Sequence, residues 1–296
     1  MNKLSVLISV YNKEKPDYLR QSLDSIFTQT MPPDEVVLVE DGPLTDELDT
    51  IIEQYTKQHQ ELQVVKLPEN AGLGPALCEG LKHCHNELVA RMDSDDISKP
   101  ERLAKEAAYL ELHPEIDIVG SWTEEFVDNP SQTKAIRKVP QDHEQLVAFS
   151  RKRNPMNHPT VMFRKKAIEN AGSYRNCPLF EDYDLWIRMM QNGARFHNLQ
   201  EPLLYFRLSK DFYSRRGGCS YIHQEIRFQQ SIRQMGHIGF MTMVHNIIKR
   251  TTLRMIPNYS RRRLPSSCTT RSTPSTIIEP ALRMVPSTIA RVLNAE

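Results

Sequence analysis

The sequence predicts an α/β protein built on a mostly parallel sheet with helices on both of its faces. Short apolar runs, typical of strands buried on both faces, recur at residues 4–10, 35–40 and 88–92. Between these runs lie stretches with helical hydrophobic spacing, so that each strand–helix unit takes roughly 20–30 residues. Units of that length favour parallel strands joined by helical crossovers, because a parallel pair cannot be closed by a short turn.

The first four strands and their helices can be assigned in order. The first helix begins at Pro16, a residue favoured at the first helical position. Its apolar stripe consists of Leu19, Leu23, Ile26 and Phe27. Asp41-Gly42-Pro43 ends the second strand with turn residues, and a polar helix to about residue 60 and a strand at 62–67 follow. Pro75 is then expected to open a helix that buries Leu77, Leu81 and Cys84.

The alternation is less regular after a helix at about 99–113. We expect strands at 116–122 and 134–139, a short helix at 142–150, a strand at 159–163 and a helix at 180–191. No Gly/Ser-rich linker separates this half from the first one, so residues 1–208 form one domain with halves of about 1–100 and 101–208. A basic helical segment is predicted at 209–258, and a tail with little fixed structure at 259–296.

Charge and cysteine content limit the possible settings of the chain. The first 202 residues carry 33 acids and 23 bases, whereas residues 203–264 carry 12 bases and two acids. This asymmetry reflects either solvated surfaces or a rear surface that meets an anionic partner such as lipid headgroups. The five cysteines include no C-x-x-C pair, which argues against a disulfide framework or structural zinc and favours a reducing cytosol. No apolar run is long enough to predict a membrane span or a secretion signal.

Polar or acidic residues follow three of the predicted strands, at the sheet edge where α/β proteins bind ligands. Asp93 and Asp95 project to the same side of the chain at the end of the fourth strand. Two neighbouring carboxylates repel each other unless a cation lies between them, and Mg²⁺ or Mn²⁺ prefers such oxygen ligands. We therefore expect a metal site, the alternative being an acidic turn in which Asp95 or Asp96 caps the next helix.

Three further groups of residues are candidates for ligand binding. Glu40 and Asp41 end the second strand and could accept hydrogen bonds from a base or a ribose, although Asp-Gly also forms ordinary turns. The segment Asn70-Ala-Gly-Leu-Gly74 lets the backbone approach a ligand closely. Arg91 and His158 are ambiguous between a binding role and a packing role.

Glu181 and Asp182 lie in the first turn of the predicted helix at 180–191. The helix dipole favours ionised carboxylates there, typically by about 0.3–1 kcal/mol when they are exposed. One of them could act as a general base, and the alternative is a simple N-terminal cap.

Six motifs taken in order resemble those of family 2 glycosyltransferases of the GT-A fold. They are S-V-L-I-S-V-Y-N, V-E-D-G, N-A-G-L-G, A-R-M-D-S-D-D, N-H-P-T-V-M-F-R and F-E-D-Y-D-L-W. The resemblance covers about residues 3–256 and is strongest to bacterial O-antigen (lipopolysaccharide) enzymes. Those add a β-1,3-linked galactose or glucose to N-acetylglucosamine (GlcNAc) on diphosphoundecaprenol. The run 213–218 and the basic segment after it are similar to the same subgroup.

The resemblance implies an inverting hexosyltransferase, with the donor half at about 1–100 and the acceptor half at about 101–208. Asp93 and Asp95 would hold Mn²⁺ or Mg²⁺, and Tyr11, Glu40 and Asp41, with Asp93 and Arg91 beside them, would contact the UDP-sugar. Asp182 would be the catalytic base, with Glu181 as the alternate.

The resemblance also implies the partners of the chain. These are a UDP-sugar, with galactose favoured over glucose, and a sugar acceptor linked to a lipid diphosphate. No nucleic acid is expected. The enzyme would be cytoplasmic and peripherally associated with the cytoplasmic face of the inner membrane.

Two other functions remain open from the residues themselves. A non-catalytic sugar-nucleotide-binding protein on the same fold would bind UDP without forming product. A nucleotidyltransferase also uses D-x-D and a metal but would release pyrophosphate. A dehydrogenase is disfavoured because the G-x-G-x-x-G fingerprint is missing.

Overall fold

Nine strands pair into one sheet in the computed structural model, which describes residues 3–208 and 218–255. In the first half of the chain the elements are β1 (Leu4–Val10), α1 (Pro16–Phe27), β2 (Glu35–Glu40), α2 (Asp46–Gln58), β3 (Leu62–Lys66), α3 (Leu73–His83), β4 (Leu88–Asp93), β5 (Ile97–Ser98) and α4 (Arg102–Leu112). In the second half they are β6 (Ile118–Phe126), β7 (Ala135–Arg137), α5 (His143–Ser150), β8 (Met162–Arg164), α6 (Lys165–Asn170), α7 (Glu181–Gln191), β9 (Phe196–Arg207), α8 (Gly218–Gln234) and α9 (Phe240–Met255).

The sheet is parallel where the sequence predicts crossovers and mixed beyond that point. Its order is β3-β2-β1-β4-β8-β6-β9-β5, with β7 added to β6. The first four strands are all parallel. β8 then lies antiparallel to both β4 and β6, while β9 runs parallel to β6. The predicted α/β class with helices on both faces is confirmed, and the parallel pairing is concentrated in the first half.

Alternate residues of the central strands supply two separate cores. Leu4, Val6 and Ile8 of β1 pack with α1, α2 and α4 on one face. Leu7 of β1 packs with Val37 of β2, α3 and α7 on the other face. This division follows from the two-residue period of a strand and explains why these strands are apolar at every position.

Several predicted boundaries change because tertiary contacts override the local pattern. The strand expected at 159–163 is a 3₁₀ turn at His158–Thr160 followed by β8. In that turn the Thr160 hydroxyl donates to the Asn157 carbonyl oxygen over 2.8 Å. The helix expected to open at Pro75 begins at Leu73, so Pro75 lies inside its first turn. The short strand at 134–139 is reduced to β7, and the strand at 116–122 extends to Phe126.

Three elements, β5, α6 and β9, have no counterpart in the prediction, whereas α8 lies within the helical segment predicted at 209–258. β9 contains Pro202 and lacks a regular alternation of apolar and polar residues, so its strand character is not visible locally. It forms because it pairs with β6 over nine positions, with register shifts on either side of Trp122. The end of β9 brings Arg207 beside the end of β4.

The described helices of the basic segment pack against the sheet domain through a third core. Ile238 and Ile247 are buried there with Phe228 and with Phe180, the residue before α7. Phe240, Met241 and Ile248 of α9 stay exposed, with 38%, 76% and 49% of their surface accessible. Residues 1–2, 209–217 and 256–296 lie outside the described residues, so the run 213–218 is described only at Gly218 and the predicted tail lies outside entirely. No helix in the described ranges is both long and apolar enough to cross a membrane.

Candidate active site

The register of the central strands brings three of the predicted residues to one edge of the sheet. Asp93 lies opposite Ser9 on β1, and Glu40 lies opposite Val10. Tyr11 follows β1 directly and is partly buried. The parallel arrangement therefore places the ends of β1, β2 and β4 side by side, as the strand-end pattern predicts.

A tight acidic turn follows β4. One carboxylate oxygen from each of Asp93, Asp95 and Asp96 lies within 4.8 Å of the others. The sequence prediction names Asp93 and Asp95 as metal ligands. The turn also brings the carboxyl group of Asp96 close to theirs. Asp96 is fully buried, and its Oδ1 accepts a hydrogen bond from the Arg207 backbone N–H over 2.7 Å. Its Oδ2 has no hydrogen-bond partner.

The electrostatics of this turn fit a divalent cation. Burial, and then the charges of Asp93 and Glu14, raise the pKa of Asp95 to about 7. Burial and the two neighbouring aspartates raise the pKa of Asp96 well above its ordinary value. A cation bound among the three carboxyl groups would relieve their mutual repulsion, and oxygen-only ligand sets suit hard divalent ions. Asp93 and Asp95, with Asp96 beside them, are the residues that would hold it.

Arg207 fixes the backbone of the acidic turn, and sequence reasoning did not find it. Its Nε donates to the Asp95 carbonyl oxygen over 2.7 Å, and its Nη2 donates to Gln21 Oε1 over 2.7 Å. The guanidinium also lies over the rings of Tyr18 and Phe126, at 4.0 and 4.5 Å from their centroids. Only the pairing of β9 with β6 brings this arginine, 112 positions from Asp95 in the chain, to the turn.

Arg91 is a fully buried residue of β4, two positions before Asp93. Its Nη2 donates to Asp93 Oδ1, while Nε and Nη1 have no hydrogen-bond partner. The prediction left Arg91 open between binding and packing. Its position gives the Asp93 carboxylate a fixed cationic neighbour behind it.

Glu40 and Asp41 are both engaged within the protein. Asp41 Oδ1 accepts from the Ala71 backbone N–H over 2.7 Å, and Oδ2 accepts from the Gly72 N–H over 3.1 Å. Asp41 thus anchors the N-A-G-L-G segment at the start of α3. Glu40 pairs with Lys66 at 3.1 Å through one oxygen, and its other oxygen is buried without a partner. Uridine contact by these residues stays a prediction.

A cleft of about 600 Å³ opens beside Asp93. Its lining includes Arg91, Asp93, Glu181 and Asp182. It therefore joins the D-x-D strand end to the predicted base, which lies 89 positions later in the chain. Tyr11, Glu40, Asp41 and Asp95 lie outside the lining of this cleft.

The two acids of α7 occupy different environments. Asp182 Oδ2 accepts from the Asn154 side-chain amide over 2.5 Å, and Oδ1 accepts from the Tyr183 backbone N–H over 2.7 Å. Burial, and then the neighbouring charge of Asp182, raise the pKa of Glu181 to about 7. The two donors fix the orientation of the Asp182 carboxylate, and a carboxyl that titrates near neutrality, such as Glu181, is suited to exchange a proton.

His158 is part of the packed wall of the cleft. Its Nε2 lies 3.0 Å from the Tyr174 hydroxyl, and its ring packs edge-on against Trp186. Burial, together with the charge of Arg91, lowers the pKa of His158 well below its ordinary value. His158 is therefore neutral, and it lines the cleft as well as packing in the core.

The family model for glycosyl transferase family 2 matches residues 5–172 of the chain. The chain belongs to this family. It is accordingly a glycosyltransferase, as the ordered motifs predict.

Two curated relatives match nearly end to end. The Escherichia coli UDP-Gal:alpha-D-GlcNAc-diphosphoundecaprenol beta-1,3-galactosyltransferase is 37% identical over 259 residues, which span 88% of this chain and 94% of that protein. The amylovoran biosynthesis glycosyltransferase AmsE of Erwinia amylovora is 38% identical over 253 residues, which span 86% and 94%.

Solved glycosyltransferases share the fold of the chain. The mannosyltransferase PcManGT from Pyrobaculum calidifontis, in complex with GDP-Man and Mn²⁺, aligns with a TM-score of 0.61 at 17% identity. That alignment covers 88% of this chain and 72% of PcManGT. Staphylococcus aureus TarS in complex with UDP-GlcNAc aligns with a TM-score of 0.59 at 21% identity, covering 78% and 66%. The GT-A fold predicted by resemblance is confirmed.

Proposed function

We propose that the chain is an inverting, divalent-metal-dependent galactosyltransferase. It transfers galactose from UDP-galactose in β-1,3 linkage to GlcNAc-α-diphosphoundecaprenol during assembly of a surface-polysaccharide repeat unit. The observation that carries this proposal is the 37% identity over 259 residues to the E. coli enzyme of that specificity. The cleft that joins Asp93 to Asp182 supports it, because sugar transfer needs a diphosphate site and a base on opposite sides of one reacting carbon.

Asp182 is proposed to act as the general base on the acceptor hydroxyl. Asn154 and the Tyr183 N–H fix the orientation of its carboxylate, so that a lone pair can face the cleft. Attack from the face opposite the leaving UDP would convert an α-linked donor into a β-linked product. A divalent ion bound by Asp93 and Asp95 would supply charge neutralisation on the departing diphosphate. We assign Mn²⁺ or Mg²⁺ to this position.

A transfer assay with separate donors tests the function. Radiolabelled UDP-galactose and UDP-glucose are each offered with GlcNAc-α-diphosphate-lipid, in the presence of Mn²⁺ and of EDTA. We expect product from UDP-galactose that EDTA abolishes. Product from UDP-glucose alone would reassign the donor, and UDP binding without product from either donor would contradict the transferase assignment for this acceptor.

The base assignment has its own test. Asp182→Asn keeps the shape and one acceptor oxygen of the side chain but removes its basicity. We expect transfer to be lost while the affinity for UDP-galactose, measured by calorimetry, stays within about twofold of the parent chain. Loss of donor affinity would instead assign Asp182 to donor binding, and Glu181→Gln as the more damaging change would move the base to the neighbouring residue.

We also propose that the exposed face of α9 contacts the anionic cytoplasmic surface of the inner membrane. Met241 and Ile248 are exposed there beside the exposed Lys249, a mixture that suits the headgroup boundary. A flotation assay with phosphatidylglycerol-containing liposomes tests this contact. Ile248→Ser should reduce binding, whereas Leu112→Ser, which alters an exposed leucine on α4, should not. Absence of binding by the full chain would remove the claim.

A further inference from the structure

The lining of the 600 Å³ cleft carries basic side chains that the catalytic residues do not explain. The lining includes Arg137, the last residue of β7, Lys138 after it, Arg153 after α5 and Arg250 of α9, together with the acids Glu125 and Glu225. These bases come from three separate parts of the chain, and all lie in the same cleft as Asp93 and Asp182. The cleft is within the size range of small-ligand sites, about 300–1,000 Å³.

Two of these arginines are held in place by contacts that use only some of their N–H donors. Arg250 uses Nη1 for Glu225 and Nη2 for the Lys152 carbonyl oxygen at 2.6 Å. Arg137 pairs with Glu125 through Nη2 at 3.2 Å and lies over the ring of Phe206. An arginine has five N–H donors, so each ion pair fixes the guanidinium while leaving donors for a ligand.

Lys138 differs from them because its neighbour is an aromatic ring. Its Nζ lies 4.5 Å from the centroid of the Trp122 ring, and the side chain is exposed. The Trp122 indole N–H in turn donates to the Val139 carbonyl oxygen over 3.1 Å, which fixes the ring. The ammonium group is thus positioned at the cleft without being neutralised by that neighbour.

Apart from Arg91, Asp93, Glu181 and Asp182, the charged residues of the lining are four bases and two acids, an excess that favours an anionic group of a ligand. The acceptor hydroxyl must reach Asp182, and the basic side chains line the same cleft, so they are available to the remainder of the acceptor. We propose that Lys138, Arg137 and Arg250 form a binding subsite for the diphosphate of a sugar-diphosphate-lipid acceptor. This inference rests on the proposed function and adds the residues that would distinguish a diphosphate-linked sugar from a neutral glycoside.

Lys138→Gln is the decisive variant because the side chain is exposed and its loss should leave folding intact. Lys134→Gln serves as the matched control, since it is an exposed lysine of the same segment that does not line the cleft. Transfer is measured on GlcNAc-α-diphosphate-lipid and on a GlcNAc-α-alkyl glycoside without phosphate. We expect the KM for the diphosphate acceptor to rise roughly tenfold in Lys138→Gln only, with the KM for the glycoside and for UDP-galactose unchanged. An unchanged KM, or an equal rise with both acceptors, would overturn the subsite.

A binding measurement separates this inference from the proposed transfer activity. The chain contains two tryptophans, and Trp186 is fully buried. The Lys138 ammonium lies over the ring of the other one, Trp122, so a change in tryptophan fluorescence reports ligand bound at Lys138. GlcNAc-α-diphosphate-lipid is titrated without donor, so no turnover is required. Weaker binding by Lys138→Gln supports the subsite even if neither donor yields product. Equal binding by the parent chain and the variant contradicts it even if galactose transfer is confirmed.

Discussion

Replacement of Arg207 by lysine tests whether the acidic turn is held by the geometry of the guanidinium or only by its charge. In the parent chain Nε and Nη2 make two hydrogen bonds of 2.7 Å in different directions, to the Asp95 carbonyl oxygen and to Gln21. Lysine keeps the positive charge and the contact of the Arg207 backbone N–H with Asp96. Its single ammonium cannot reach both oxygens from one position.

The expected magnitude follows from these contacts. A hydrogen bond with a charged donor contributes about 1.5–3 kcal/mol, and at least one of the two is lost. If the turn must keep its geometry to bind the metal, losing one of these hydrogen bonds should lower the metal affinity tenfold or more. Residues that orient metal ligands typically have effects of about 10–100-fold.

The assay is the Mn²⁺ dependence of galactose transfer together with thermal unfolding. For Arg207→Lys we expect the Mn²⁺ concentration for half-maximal activity to rise at least tenfold, with a lower Tm. The control is Arg195→Lys, a half-exposed arginine that pairs with Glu144. If Arg207→Lys keeps the parental Mn²⁺ dependence and Tm, the turn does not depend on the guanidinium and the reasoning is refuted.

Three further predictions concern the surroundings of the site. Asp41→Ala should lower the free energy of unfolding by roughly 2–4 kcal/mol and weaken UDP binding, because the N–H groups of Ala71 and Gly72 lose their carboxylate acceptor. An unchanged midpoint of urea unfolding would contradict this. Gly74→Ala should reduce transfer at least tenfold, because an added Cβ would lie 2.3 Å from the Arg175 carbonyl oxygen and against Glu181. Gly239→Ala is the control: its added Cβ meets nothing within 4 Å, so kcat/KM should be unchanged.

The third of these predictions is a pH dependence. Because burial lowers the pKa of His158, the unfolded chain binds a proton below about pH 6.5 that the folded chain excludes. The stability associated with this residue is present above that pH and is lost as the pH falls, by about 1.4 kcal/mol per pH unit. The Tm of His158→Gln should therefore fall less between pH 6.5 and 5 than that of the parent chain, and parallel curves would contradict the assignment.

The sequence by itself was sufficient for the repeating part of the fold and for the residues at its strand ends. β1, β2 and β4 are apolar at consecutive positions because both faces of the sheet are covered, so they can be recognised without knowing their partners. The position of Asp93 after such a strand predicts that it lies at the ligand edge, and the register with Ser9 bears this out.

Tertiary structure decided which distant residues complete the site. Arg207 lies at the end of a strand that contains Pro202 and has no clear alternation, and its contact with Asp95 depends on pairing between β6 and β9. Likewise, Lys138 and Arg250 share a cleft only because β7 pairs with β6 and α9 packs against the loop after α5. Local hydrophobic periodicity encodes burial and the direction of a side chain, but contacts between residues more than 100 positions apart depend on the register of the whole sheet.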